Sequence, residues 1–368
     1  MISTLGERVL ILVGKCSMPD LSPRQQLILG LVIREYISSE IEAEDGTRRV
    51  QPVGSKVLVE RYNLDLSPAT IRHELARLEE RGLLTHPHTS AGRIPTDAGY
   101  RYFVESLMGD EDLSPDEQRT IQHQFHQARL DLDQWMRLAS SVLARASGGA
   151  AIVTAPRAPQ ARFKHLQLIS TQGRLVLFVL VLMDGSVKQE MLTLADPLSQ
   201  ADLDAVSATL NGQLSGRTAE EIRARRLDLS TLEADVLTRV VDIMSRADQW
   251  AAADVYRDGL SDVLRKPEFE DRESAEGLLK VFEERSLLED VLNTALNPTV
   301  GGVQVVIGSE GRWAELRDCS LVLSRYGVAQ RATGALGVVG PTRMPYGRTI
   351  SAVRYVSVLM TNLISDIF

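Results

Sequence analysis

Cysteine is almost missing from this chain: Cys16 and Cys319 are the two in 368 residues. Two cysteines build no disulfide framework, and the natural expectation is a reducing, cytoplasmic setting. Long apolar runs are missing too. The longest covers residues 175–183, far short of the roughly 20 residues a membrane-spanning helix needs. Basic excess is absent, with 41 Lys+Arg against 49 Asp+Glu and a net charge of −8, which excludes a uniformly basic nucleic-acid coat protein. It does not exclude one small DNA-binding module on an acidic body, because steering depends on local charge. What remains is ordinary for a globular protein, 44% hydrophobic and 24% charged, with length for two or three domains.

Catalytic and metal patterns are also lacking. No Ser-His-Asp or Cys-His arrangement is apparent. His86 and His88 have no Cys or carboxylate at ligand spacing. Gly334, Gly337 and Gly340 are wrongly spaced for a dinucleotide fingerprint and lack a following Gly-Lys-Ser/Thr, so tight strand-to-helix packing is expected there. No enzyme activity, cofactor or metal is expected. Residues 1–20 read as a flexible extension outside the fold: the apolar stretch 9–13 is short, follows Glu7, and Lys15 stands where lipoprotein cleavage before Cys16 would need a small residue.

The first hundred residues carry strong local signals. Ser22-Pro23, Ser67-Pro68 and Ser114-Pro115 each place Ser at a helix N-cap and Pro at the first helical position. Gln25 and Glu117 complete capping boxes. The predicted order is a helix to about Ser39, a polar loop over 40–49, a short helix from Ser55 to Tyr62, a turn, and a helix from Ser67 to Gly82. That is the helix-turn-helix order. A strand at 83–85, a hairpin tip at 86–92 and a return at 93–95 make a wing. On the 67–81 helix, Ile71, Leu75 and Leu78 share one face and belong to the core. The opposite face centres on His73, with Ala69, Ala76 and Glu80 beside it, Thr70 and Arg77 on one flank and Arg72 on the other. His and Arg can donate to guanine acceptors, small Ala allows close approach, and Ser or Thr can bond phosphate. The candidate DNA contacts are Ser67, Ala69, Thr70, Arg72, His73 and Arg77, with His88, Thr89, Ser90 and Arg93 from the wing. The blander reading is a solvated face of a structural helix.

Several stretches carry a resemblance: Pro52-Val53-Gly54-Ser55-Lys56, residues 64–72, residues 86–97, Gly99-Tyr100-Arg101-Tyr102-Phe103-Val104 and, far away, residues 334–344 followed by Tyr346. Together they resemble the HrcA family of bacterial heat-shock repressors. The resemblance implies a multidomain α+β protein with a winged helix-turn-helix domain at 21–108. It further implies a GAF-like α/β domain from 109–155 and 256–368, and an inserted dimerising domain at 156–255. It also implies a homodimer on double-stranded DNA, at an inverted-repeat operator upstream of chaperone operons, with the active state supported by the GroEL chaperonin. The chain departs from the pattern at residues 1–20, in an apparent insertion at 42–50, and at His73, where the family usually has Asn.

Further on, residues 114–146 read as one long helix. Strands near 163–169, 175–182 and 187–194, with turns at Gln172-Gly173 and Asp184-Gly185, read as a meander. Residues 199–248 are helical in pattern, and Arg223, Arg225 and Arg226 read as a solvated patch. Strands are expected near 303–307, 321–326 and 335–339, before a final helix at 346–367. A second functional reading is a metabolite-responsive regulator whose GAF-like domain holds a small ligand in an apolar pocket with a few polar groups.

Overall fold

The computed structural model describes residues 10–11, 19–42, 48–87, 92–109, 111–128, 131–156, 161–183, 185–248, 254–296, 300–310, 312–328 and 331–366. The protein is mixed α and β, with helices and several separate sheets. Two compact units divide it: Met1–Ala155 with Asp254–Val328 and Gly334–Phe368, and Pro156–Ala253 with Ala329–Thr333.

The first unit begins with a three-helix cluster. Helix α1 (Pro23–Ser38) starts at Ser22, whose hydroxyl accepts from the Gln25 amide in a complete capping box. Helix α2 (Ser55–Tyr62) ends at Asn63, held at φ 46°, and α3 (Pro68–Glu80) starts at Ser67, which accepts from the Thr70 amide. Leu58, Ile71, Leu75 and Leu78 are buried together with Ile28, Val32 and Ile33, and α3 packs against both α1 and α2. Between α1 and α2 the expected loop is instead a small ribbon. Strands β2 (Glu40–Glu42) and β3 (Arg48–Val50) pair antiparallel, and Ser39 and Gln51 close its base, the Ser39 hydroxyl donating to the Gln51 carbonyl at 3.3 Å. Strands of three residues rich in charge give no period-2 signal. After α3, β4 (Leu84–Thr85) pairs with β5 (Ile94–Pro95) as expected. Val53 joins from the other side, exchanging two 2.9 Å backbone bonds with Arg93. Helix α4 (Asp97–Tyr102) comes next, capped by the Thr96 hydroxyl.

The long helix expected over 114–146 is two helices, α5 (Pro115–Gln127) and α6 (Leu132–Ser147). Ala128 is extended, and the Asp131 carboxylate caps the new helix by accepting from the Asp133 amide. Further helices run at α10 (Leu260–Val263), α11 (Arg272–Glu283) and α12 (Arg285–Ala295), and the chain ends on α13 (Tyr346–Ser365). On α13, Ile350, Val353, Met360 and Ile364 are buried, while Ile367 lies outside the described residues.

The main sheet has six strands: β1 (Leu10–Ile11), β11 (Val303–Ile307), β12 (Cys319–Val328), β13 (Ala332–Pro341), β6 (Ala150–Thr154) and β10 (Val255–Asp258), in that spatial order. The expectation that residues 1–20 stay outside the fold therefore fails at Leu10 and Ile11, which pair parallel with Gln304 and Val305. Helices α6 and α13 pack against this sheet and each other. The glycines of β13 owe their place largely to the neighbouring strand. The Tyr326 ring crosses the backbone at Gly334, where a Cβ would collide with it, so that its hydroxyl can donate to the Thr154 carbonyl at 2.6 Å. At Gly337 a Cβ would meet the Val322 carbonyl at 2.5 Å. These are strand-to-strand approaches. Of the three glycines, Gly340 is the one that packs toward the turn into α13, beside Met344.

The second unit is the meander β7 (Phe163–Gln172), β8 (Leu175–Leu182) and β9 (Val187–Thr193), covered on one face by α7 (Gln200–Leu214), α8 (Ala219–Arg223) and α9 (Thr231–Asp248). Phe163, Leu166, Leu168, Phe178 and Leu180 alternate inward against Leu203, Leu210, Val240 and Met244. Edge strand β7 is sealed by α7: Asn211 accepts from the Leu166 amide at 2.7 Å and donates to the Leu166 carbonyl at 2.9 Å. The Ser207 hydroxyl takes the Leu168 amide and Gln200 the Ser170 amide. Such covering keeps an edge from pairing with other chains. On the opposite face, the register aligns His165, Val181 and Val187, then Gln167, Val179 and Gln189, then Ile169, Leu177 and Met191. Ile169, Leu175, Val187 and Met191 are exposed there, and no Asp, Glu, Lys or Arg stands in these rows.

Candidate nucleic-acid interface

Helix α3 turns Ile71, Leu75 and Leu78 inward and leaves Ser67, Ala69, Arg72, His73 and Arg77 exposed, with Thr70 half-buried. Helical spacing alone predicts that division. The outward residues are not equally available. Thr70 shares a 2.9 Å hydroxyl contact with Ser67 inside the N-cap. Arg77 stands 3.9 Å from the Glu74 carboxylate. Arg72 and His73 have no ion pair or hydrogen bond among the described residues, so their donors are free to meet a ligand.

Beneath this face lies a network that sequence reasoning missed. Glu74 is buried on the core-facing stripe and accepts from the Gln25 amide nitrogen at 3.2 Å, with Arg24 3.9 Å away. This ties the first turn of α1 to the middle of α3. A carboxylate within the i, i+3, i+4, i+7 stripe Ile71-Glu74-Leu75-Leu78 is the signal that could have found it, since buried charge demands partners. At the other end of α1, Glu35 accepts from Arg61 at 2.6 Å and from the Tyr62 hydroxyl at 3.2 Å, fastening α2.

The hairpin is fastened to α3 through Glu79. One Glu79 oxygen is 2.7 Å from the Arg93 guanidinium and the other contacts His86 Nδ1. Arg93 therefore lies against the helix, its side chain 20% exposed, rather than projecting as a free cation toward a phosphate. His88, Thr89 and Ser90 lie outside the described residues. The competing roles of Arg93 separate cleanly. If it reaches phosphate in the complex, Arg93→Ala weakens binding to specific and random duplex alike and lowers the slope of log affinity on log salt by about one charge. If it only braces the hairpin, the slope in a salt titration stays at the wild-type value, and the phosphate role is wrong.

Elsewhere, burial and then the neighbouring Asp318 push the Cys319 thiol up to about 12, so this cysteine is not a thiolate near neutral pH. Among the described residues no three His, Cys, Asp or Glu side chains gather as a metal site. No described helix is long and apolar enough to cross a membrane. A groove of about 630 Å³ runs along β10, with Asp133, Arg137, Asp254, Arg257 and Asp258 in its walls. There the Tyr256 hydroxyl donates to Asp133 at 2.7 Å; burial and that carboxylate raise its pKa to about 12. These walls are charged, whereas a cavity of about 340 Å³ among Leu113, Ile121 and Val142, with Gln124 and Arg348 beside them, is mainly apolar.

Fold and site thus define a multidomain α+β protein with an exposed, capped helix and an attached hairpin. Known proteins narrow the class to transcription repressors. The family model described as HrcA protein C terminal domain matches residues 133–350. A heat-inducible transcription repressor from Roseiflexus castenholzii is 46% identical over 357 residues, covering 95% of this chain and 96% of its own length. Its counterpart from Chloroflexus aurantiacus is 43% identical over 363 residues, with 95% of each covered. That from Dehalococcoides mccartyi is 37% identical over 348 residues, with 95% and 97% covered. A crystal structure of a hypothetical protein shares the fold, with a TM-score of 0.54 at 22% identity over 94% of this chain and 98% of its own. The chain belongs to the HrcA family of heat-inducible transcription repressors.

Proposed function

We propose that this repressor grips an inverted-repeat operator of chaperone operons as a cytoplasmic homodimer, without catalysis, and that the GroEL chaperonin supports its active state. In this reading residues 21–108 are a winged helix-turn-helix domain that places α3 in the major groove. Residues 109–155 and 256–368 are a GAF-like domain and residues 156–255 an inserted dimerising domain. The observation that carries the reading is the outward face of α3. Arg72 and His73 stand exposed and unengaged there, beside Ala69, on a helix whose buried side is fastened to its neighbours.

Two further features support it. The outer face of the β7–β8–β9 meander, without Asp, Glu, Lys or Arg in its central rows, is suited to a second copy of itself, and a two-fold dimer matches a two-fold operator. A main sheet that joins strands from residues 10–11, 150–154, 255–258 and 303–341 needs many long-range contacts, and such chains fold slowly through states that expose apolar surface. The uncharged strand Leu175–Leu182 is one segment at risk.

The test is selection from a pool of random duplexes, which should recover an inverted repeat. The selected duplex then titrates the active fraction of protein refolded from denaturant. That fraction should rise when chaperonin is present. Full recovery without it would remove chaperonin dependence from the account.

A further inference from the structure

Among the described residues, two groups of side-chain contacts join α1 and α4 to the body around the six-strand sheet, and both use residues of the stretches that carry the family resemblance. At the first, Arg343 lies under the end of α1, its side chain 7% exposed. Its Nη1 donates to the Ile37 carbonyl at 3.3 Å and its Nε to the Glu268 carboxylate. Tyr36 in the same turn has its hydroxyl pKa raised by burial and by Glu268. Tyr100 and Tyr346 close the seam with buried rings 5.8 Å apart. At the second contact, the Asp97 carboxylate accepts from the Ser309 amide at 2.9 Å and from its hydroxyl at 2.6 Å. A Cβ at Gly308 would approach that carboxylate to 2.5 Å, so the fit is close.

Helix α1 joins this seam to the reading helix. It has 16 residues, a rod about 24 Å long at 1.5 Å per residue. Its last turn is held by Arg343, and its first turn is bonded to α3 through Gln25 and Glu74. Tilting the held end therefore swings α3.

We propose that Arg343 is a positioning residue for operator binding: by joining Ile37 to Glu268 it sets the angle of α1 to the body, and so the separation of the two α3 helices in a dimer. This rests on the inverted-repeat reading above. A buried ion pair is poorly suited to adding stability but well suited to choosing one geometry among several. Arginine is needed because two partners in different directions must be met by one planar fork, which a lysine ammonium does not supply. Half-sites one helical turn apart leave little tolerance, since spacing is set by the dimer's geometry.

The experiment compares wild type with Arg343→Met/Glu268→Gln, which removes both charges and strands neither. The probes are the inverted repeat selected by wild type, the same repeat with its spacer changed by one or two base pairs, and a single half-site. For wild type, affinity should fall steeply away from the selected spacer. For the double variant, binding to the selected repeat should weaken by about tenfold or more as the preformed spacing is lost. Its half-site affinity should stay at the wild-type value, and its profile across spacers should flatten. Should thermal unfolding find the double variant unfolded, Asp97→Asn at the second contact provides the same reading. A folded variant with the wild-type spacer profile overturns the proposal. Failure of wild type to bind either the repeat or the half-site overturns the DNA-binding reading instead.

Discussion

Val179→Glu combined with Met191→Glu should turn the repressor into a monomer and reduce affinity for the inverted repeat by about 10²- to 10⁴-fold, the gain a second linked site commonly provides. Binding to a single half-site should not change. Val179 sits mid-strand in β8, facing Gln167 on one side and Gln189 on the other. Met191, exposed at 54%, stands opposite Leu177 in the next row. The centre of the face is therefore a patch of aliphatic and amide side chains with no carboxylate, ammonium or guanidinium to interrupt it. The inward-facing residues, Phe178 and Leu180 among them, are untouched by the substitutions, so the meander should still fold. Two carboxylates on each copy place at least four like charges in a desolvated interface, where unpaired charge is most costly. Sedimentation equilibrium reads the oligomeric state directly. A variant that stays dimeric and binds the repeat at full strength would place the dimer contact elsewhere.

The other large effect belongs to Arg72. Arg72→Ala should weaken binding to the selected repeat by roughly 1–3 kcal/mol, about fivefold to 150-fold, with little change on random duplex. The reasoning is one of availability. Arg72 is exposed and no described carboxylate claims it, so its fork can pair with the two acceptors of a guanine edge. His73→Ala should act in the same direction. Arg77→Ala should cost less, because Glu74 already holds part of that charge from 3.9 Å. Gel shifts with both duplexes make the comparison. Equal losses on specific and random DNA would mean that Arg72 touches phosphate, and no loss on either would remove α3 from the interface.

The range of each signal decides how much of the fold and site is legible in the sequence. The starts of α1, α3 and α5 lie within one turn of a Ser-Pro pair, and they are readable. So is the division of α3 into a core stripe and an outer face, because it depends only on helical period. The break between α5 and α6 is not readable, since no Pro or Gly marks it. What the structure shows there is Asp131 capping its own new helix, accepting from the Asp133 amide at 3.0 Å. The pairing of Arg93 with Glu79 joins a strand to a helix across a turn, and charge pattern does not choose between that partner and a phosphate. Gly334 reads as a packing glycine, but for a partly mistaken reason. Only the sheet order reveals that Tyr326 must cross that strand to reach Thr154. The network through Gln25 and Glu74 stands between these extremes, flagged by an acid in an apolar stripe but without a named partner.

The most direct measurement is a nuclease footprint on the duplex upstream of the gene for this chain. The account predicts protection of two short stretches related by an inverted repeat, lost together when Arg72→Ala replaces wild type and restored at higher protein concentration. Absence of any protected stretch with folded, dimeric wild-type protein would contradict it, as would protection that Arg72→Ala and His73→Ala leave unchanged.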